Sequence, residues 1–423
     1  MSILSAMHAG VSGLSGQSEA ISVYGDNIAN ANTTGFKTSR PEFQDVVAKS
    51  LAGSQIGSGV KLAGITSIFS QGSIQQTESP TDLSITGDGF FVLKGTDGNS
   101  FTRNGSFHFN KEGKLTNQDG LHVLGFPINE SGKAGAKLSD ISIEHSVIDA
   151  KKTSEVNMLM NLDLRNDANL VFDKEHPDQT SNFSSGVTVY DSAGTAHSCT
   201  LFFNKEKNGV WKWRAMAKGD EIIEGKKGEM AECASGKLTF DTDGRLKNQI
   251  IETSSFSFNK GALPNQFIKF SFGSDKDHGG TGLEVTQYGT NSEFYKVLQD
   301  GYTAGTLTGM TFADTGILTG IYSNGENINI AQVAISKFES PEGLFKVGQN
   351  RFRESRNSGQ PNIGVAQTGG RGSVSVKTIE SSTTDIASEF INLMQAQRNF
   401  QANSKVITTS DEMLQEVMNI KRN

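Results

Sequence analysis

The chain offers few side chains at spacings that do chemistry. Its seven histidines, His8, His108, His122, His145, His176, His197 and His278, stand singly, with no i,i+4 pair to chelate a metal from one helical face. His108 and His122 fall in neighbouring predicted strands and read as strand residues rather than zinc ligands. Asp241-Thr242-Asp243-Gly244 opens like a calcium loop but lacks the later spacing and the closing glutamate, so it reads as a hairpin turn. No HExxH, GxSxG, P-loop or intact GxGxxG occurs. Cys199 and Cys233 form no CxxC pair and read as two reduced, small core residues. The expectation is a chain that is no enzyme, with no catalytic residue, cofactor or metal.

The elements around these residues are better defined than the chemistry. Glycine supplies 47 of 423 residues and proline only 7, a bias toward short strands joined by tight turns. The formal charge of −7, with no Lys/Arg stripe, argues against a nucleic-acid partner. No apolar run of about 18 residues predicts a membrane span. The first residues lack the basic and apolar regions of a secretory signal peptide.

Both ends read as helices. From Ile3 to Asn30 apolar residues recur at Leu4, Met7, Val11, Leu14, Ile21 and Ile28, with Ser18 and Gly25 in the gaps of a seven-residue pattern. That period draws one narrow stripe along a helix, as in a coiled-coil seam. The other face is small (Ser5, Ala9, Ser12, Ser15, Gly16) and lets a neighbouring helix come close. Near the other end Asp385 is placed to cap a helix running to about Asn419. Its stripe is Ile386, Phe390, Leu393, Phe400, Ile407, Leu414 and Met418. Such faces dock on their own domain or on another chain.

Between the helices the texture is β. Apolar clusters at 61–69, 83–93, 99–109 and 121–126 alternate with turns such as Asn104-Gly105 and Asp119-Gly120. A second β region follows residue 152, with strands expected at 186–190, 198–204, 210–216, 236–240, 248–258 and 266–273. The expected fold is mainly β with terminal α-helices, in a nested multidomain order. A coiled-coil-like terminal helical domain (1–30 and 385–423) leads through hinge or bridge segments (31–70 and 357–384) to a core β domain (71–151 and 289–356). An outer β domain (152–288) is inserted in the core one.

One segment is not generic. Tyr24-Gly25-Asp26-Asn27-Ile28-Ala29-Asn30-Ala31-Asn32-Thr33-Thr34-Gly35-Phe36-Lys37 is a helix end rich in Asn and Gly, then a turn and an aromatic anchor. It resembles the signature of the bacterial flagellar axial proteins of rod and hook, and Asn392–Ser404 resembles that family's other signature. Thr81–Phe91, Arg103–Phe107, Glu342-Gly343-Leu344 and Phe352 resemble its core β domain. Val187–His197 and Asp300–Gly305 look like the hook branch in particular. The likeness covers nearly the whole chain, most weakly in 205–285.

The resemblance implies a subunit of a curved helical homopolymer, a universal joint between flagellar motor and filament. It implies an extracellular place in the hook and basal body, reached by type III export without a cleaved signal, or a periplasmic one in a spirochaete. It also implies contact with the rod protein, hook cap, hook-length control protein and hook-filament junction proteins. The rival readings are a distal rod protein and a secreted β-rich adhesin. On the hook reading Leu4, Met7, Val11, Leu14, Ile21, Ile28, Phe390, Leu393, Phe400, Ile407 and Leu414 are expected at subunit interfaces, with ends that order on assembly. Asn27, Asn30, Gly35 and Phe36 are expected at a hinge. Some spirochaete members join subunits through a cysteine-derived dehydroalanine and a lysine, which makes Cys199 the cross-link candidate.

Overall fold

The computed structural model describes residues 3–51, 54–95, 98–129, 132–143, 146–168, 170–223 and 225–422. Helix α1 (Ile3–Ala29) and helix α2 (Ile386–Arg422) stand at the two ends, and the long middle of the chain is built of strands. Asp385 starts α2 as expected: its Oδ1 accepts from the backbone N–H of Ala387 at 2.9 Å and of Ser388 at 3.2 Å.

The chain divides into two compact units. The first comprises Met1–Glu144, Gly309–Gly320 and Asn327–Asn423; the second comprises His145–Thr308 and Ile321–Glu326. Both helices therefore share a unit with the inner β structure.

In the first unit, strand Phe90–Gly95 shows how the sheet is covered on both faces. Successive side chains point to opposite sides. Phe91 and Leu93 join a core with Leu83, Ile85, Phe107 and Val333. Phe90 and Val92 join another with Phe101, Phe338 and Phe352. The aromatic rings there meet edge-on, as between Phe101 and Phe338 at 4.8 Å.

Two stretches differ from the sequence expectation. Residues 39–67, expected within a hinge, form one long antiparallel ribbon, β1 (Ser39–Leu51) with β2 (Ser54–Ser67), registered Ser39 to Ser67 and Asp45 to Val60. The apolar cluster at 61–69 marks the end of β2, but the side chains at 42–46 and 61–65 are largely exposed, so the full extent of the ribbon needs no alternating apolar face. Residues 357–384, expected as a Gly-rich return, supply three short strands. Asn362–Gly364 pairs with Ile335–Lys337, Ser373–Val376 with Leu83–Thr86, and Thr378–Glu380 with Ile74–Gln76. Backbone pairing, with Ala366 and Val374 in the core and the Glu380 side chain fully buried, gives these residues their order.

The second unit holds a five-stranded antiparallel meander, from Phe183–Tyr190 to Leu246–Ser254, each strand paired with the next. A smaller sheet is centred on Glu155–Asn161. Between them lie Trp211, Trp213, Phe203, Phe256, Phe270 and Phe272, all essentially inaccessible.

Candidate assembly site

Helix α1 buries its smallest residues. Among the described side chains of the helix, Gly10, Gly13, Gly16, Ala20, Val23 and Asn27 are the buried positions, spaced three or four apart on one face. A Cβ at Gly10 would lie 3.1 Å from Ile407 Cγ1, and one at Gly13 only 2.7 Å from Asn403 Nδ2. At Gly16 the neighbour changes to the ribbon, with Phe43 Cε1 at 3.1 Å. The ribbon approaches so closely that a Cβ on Gly59 would overlap Ser12, whose Oγ accepts from the Val60 N–H at 3.2 Å. α1 and α2 run antiparallel, Gly10 beside Ile407 and Asn27 beside Glu389.

The residues expected at subunit interfaces divide accordingly. On α2, Leu393, Phe400, Ile407 and Leu414 are half-buried, in a seven-residue row beside the row, three residues on, that holds the buried Ala396 and Ser410. Phe390 lies off that row and is 53% exposed, alongside Ile386 and Met394. On α1, Met7, Leu14, Ile21 and Ile28 are half-buried and Val11 is 52% exposed. The side chain of Leu4 lies outside the described residues. Both helices are formed and paired with each other within the single chain. The seam is the glycine face of α1, not its apolar stripe. Gly10, Gly13 and Gly16 are readable as a three-residue repeat, but close approach of a partner gives no hydrophobic signal.

At the other end of the helix pair a clamp ties α1, α2 and the inner sheet together. Asn27 is buried; its Nδ2 donates to Ser39 O at 2.7 Å and to Glu389 Oε2 at 3.1 Å, and its Oδ1 accepts from Ser39 N at 2.9 Å. Asn30 caps the helix end, its Nδ2 donating to Asp26 O at 2.9 Å while its Oδ1 accepts from Thr33 Oγ1 at 3.1 Å. Gly35 has φ +70°, and a Cβ there would stand 2.5 Å from Asn104 N, so only glycine fits. Phe36 is buried beneath Lys346, whose Nζ is 5.2 Å from the ring centroid.

Lys37 then reaches inward to Glu380. Its Nζ donates to Glu380 Oε1 at 2.6 Å and to Ser70 O at 2.5 Å, and both side chains are fully buried. Glu380 also accepts from Gly72 N at 2.7 Å and meets Arg103 Nη1 at 3.4 Å. Burial pushes the Lys37 ammonium below the ordinary lysine range, and Glu380 opposes that shift. A buried charge persists when it is paired and hydrogen-bonded, as all three are here. Asn27, Gly35 and Phe36, expected at a hinge, are instead fixed points of a buried clamp.

The remaining candidates resolve into structure. Cys199 is fully buried inside the meander, and burial drives its thiol far above the ordinary cysteine range. Cys233 is pushed up to about 11 by the same cause. In this fold the buried Cys199 thiol is not presented at the surface, where a lysine of another chain would have to reach it. Asp241 closes its hairpin turn by accepting from Asp243 N and Arg245 N and binding Lys276, with no calcium-loop geometry. His122 contacts Asp140 at 3.0 Å and His108 contacts Thr116; His145 lies outside the described residues. Among the described residues no group of three His, Cys, Asp or Glu is placed to hold a metal ion.

A polar cluster in the second unit escaped sequence reading. His197 stacks on Phe258 at 3.9 Å, its Nδ1 lying 2.8 Å from Glu221 and its Nε2 3.0 Å from Asp191. Burial alone would raise the Asp191 carboxyl. Hydrogen bonds from His197 and from the Thr195 and Ala193 amides hold it below the usual carboxylate range instead. The cluster staples a turn to a strand end.

Four family models match the chain. They are Flagella basal body rod protein at 7–37, Flagellar hook protein FlgE/F/G D1 domain at 84–157, Flagellar basal body protein FlaE D2 domain at 161–302, and Flagellar basal body rod FlgEFG protein C-terminal at 377–420. The flagellar hook protein FlgE of Treponema pallidum is 31% identical over 99% of this chain and 100% of its own. That of Escherichia coli K12 is 32% identical over 97% of this chain and 98% of its own. The crystal structure of Helicobacter pylori flagellar hook protein FlgE2 shares the fold, with a TM-score of 0.53 at 13% identity, over 73% of this chain and 100% of that one. These relatives favour the hook over the rod and adhesin readings. No helix among the described residues is long and apolar enough to cross a membrane. With whole-length relatives at about 30% identity and family models along its length, this chain belongs to the flagellar hook protein family, as a structural subunit of the hook.

Proposed function

We propose that copies of this chain polymerise through the α1–α2 pair into the curved tube of the hook, which transmits motor torque as a universal joint. The observation that carries this reading is the inversion of the helix pair. Glycine and alanine fill its inside, while Val11, Ile386, Phe390, Ile391, Met413 and Val417 stay more than half exposed. A monomer rarely leaves so much apolar surface along one element without a partner for it. The stripes of Met7, Leu14, Ile21 and Ile28, and of Leu393, Phe400, Ile407 and Leu414, complete their burial between copies. The clamp around Lys37 and Glu380 keeps each subunit stiff at its base, so bending takes place at contacts between subunits. The second unit supplies polar contacts that slide as the tube curves. Export through the type III apparatus, and contacts with rod, cap, length-control and junction proteins, follow from the same reading.

Purified protein raised in concentration should form hollow curved tubes in negatively stained images. Compact single particles at high concentration would overturn the proposal.

A further inference from the structure

The chain holds 10 methionines, and the fold sorts them by region. Met158, Met160 and Met216 are sealed inside the second unit, none more than 1% exposed. Met7, Met230 and Met310 are half-buried, and Met1 lies outside the described residues. Among the described residues the exposed methionines all stand on α2: Met394 at 37%, Met413 at 54% and Met418 at 70%. They belong to the exposed apolar surface of the helix pair. Met394 follows the exposed Phe390 by one turn, and Met413 precedes the exposed Val417 by one turn, so each shares a face with an apolar neighbour.

A thioether is a soft, flexible hydrophobe that fills irregular apolar contacts, and one oxygen atom turns it into a polar sulfoxide. The step balances with a peroxide. A sulfur lone pair attacks one oxygen of hydrogen peroxide, the O–O bond breaks and an S–O bond forms. The proton on the attacked oxygen passes to the departing hydroxide, which leaves as water. Sulfur loses two electrons and the peroxide gains them. The two thiols do not compete, because Cys199 and Cys233 are both buried. What the new oxygen costs depends on where the sulfur sits. On the surface of a single chain water hydrates it, and the fold loses little. In an apolar contact between copies it is stripped of that water, and burying a polar group that finds no donor is costly.

We infer that Met394, Met413 and Met418 form a modification site for peroxides that controls assembly: their oxidation leaves the single chain folded and bars it from the polymer. The inference rests on the assembly reading and adds its regulation. Neighbouring copies that cover these sulfurs also keep peroxide from them, so oxidation acts on the free subunit and spares the finished tube. Sulfoxides are reducible enzymatically, which makes the block reversible.

The test treats intact, unassembled protein with a limited dose of hydrogen peroxide and maps oxygen addition by peptide mass. Met394, Met413 and Met418 should react at least about tenfold faster than Met158, Met160 and Met216, with the denaturant midpoint unchanged. In preformed tubes the same three should react at least about tenfold more slowly than in free subunits. Oxidised protein should enter growing tubes at least about tenfold less than untreated protein, and methionine sulfoxide reductases of both epimer specificities should restore entry. A full-length variant carrying Met394→Leu, Met413→Leu and Met418→Leu keeps the apolar surface without the sulfur, and should enter tubes equally before and after peroxide. If that variant does not assemble, the reductase arm on the unsubstituted protein decides alone. Oxidised protein that enters tubes as well as untreated protein, a loss that reductase does not reverse, or a leucine variant blocked to the same extent would overturn the inference and leave the assembly reading standing. Untreated protein that never forms tubes would overturn the assembly reading, and this inference with it.

Discussion

The meander of the second unit and the α1–α2 pair solve the burial problem in opposite ways. The meander puts its largest side chains inside: Trp211, Trp213, Phe203, Phe256, Phe270 and Phe272 are hidden from solvent. The helix pair hides Gly10, Gly13, Gly16, Ala20 and Ala396 and, Val23, Asn27 and Ser410 apart, leaves its larger described residues partly or wholly outside. Apolar burial stabilises in proportion to area removed from water, roughly 25 cal/mol per Å². The meander collects that stabilisation within one chain. The helix pair gains little from glycine and, on the proposed assembly, collects the rest against neighbouring copies. One region is a finished domain; the other, on that proposal, is half of an interface.

The comparison can be broken hardest in the meander. Trp213→Ala removes a fully buried ring packed 5.2 Å from Phe270 and 5.3 Å from Phe272, and should cost about 3–5 kcal/mol, read as a lower denaturant midpoint. No helix-pair residue should match it. A midpoint unchanged within error would mean that the second unit is not held by its own core.

Glu380→Ala should approach the same size for a different reason. It leaves Lys37 and Arg103 buried without their shared carboxylate, a loss of about 3–5 kcal/mol. The effect should appear as release of both helices, measured by hydrogen exchange at Asn27 and Ser39. Protection there that survives the substitution would show that the clamp does not anchor the helices.

Smaller effects sharpen the account of α1. Gly13→Val drives a branched side chain into Asn403 and should cost about 1–3 kcal/mol through splaying of the pair. A Cβ on Gly25 would meet nothing within 4 Å, so Gly25→Ala should stabilise the helix by up to about 1 kcal/mol. Thermal melts of the two variants should move in opposite directions. Equal shifts would mean that the glycine face is not a contact surface.

How much of this was legible in the sequence depends on the physical signal each feature leaves. The helices announce themselves through a seven-residue apolar period and an Asp385 cap, and the meander through turns such as Lys207-Asn208-Gly209. Of the β1–β2 ribbon only the end of β2, within the 61–69 apolar cluster, was marked; the rest is mostly exposed and left no apolar alternation. The clamp joins Lys37 to a glutamate 343 residues away, a distance at which spacing carries no information. His197 likewise meets Glu221 only because the chain folds back across 24 residues. The apolar stripe of α1 was visible, but its period does not tell whether a stripe faces a partner within the chain or one outside it.

The central claim is that the exposed apolar residues of the helix pair serve assembly rather than the fold of one chain. Phe390→Asp combined with Val417→Asp tests it most directly, by sedimentation velocity of the intact protein alongside a denaturant melt. The account predicts a midpoint shifted by no more than about 0.5 kcal/mol per site, with polymer lost at concentrations where the unsubstituted protein forms tubes. Polymer of normal length and curvature from the doubly substituted protein would contradict it.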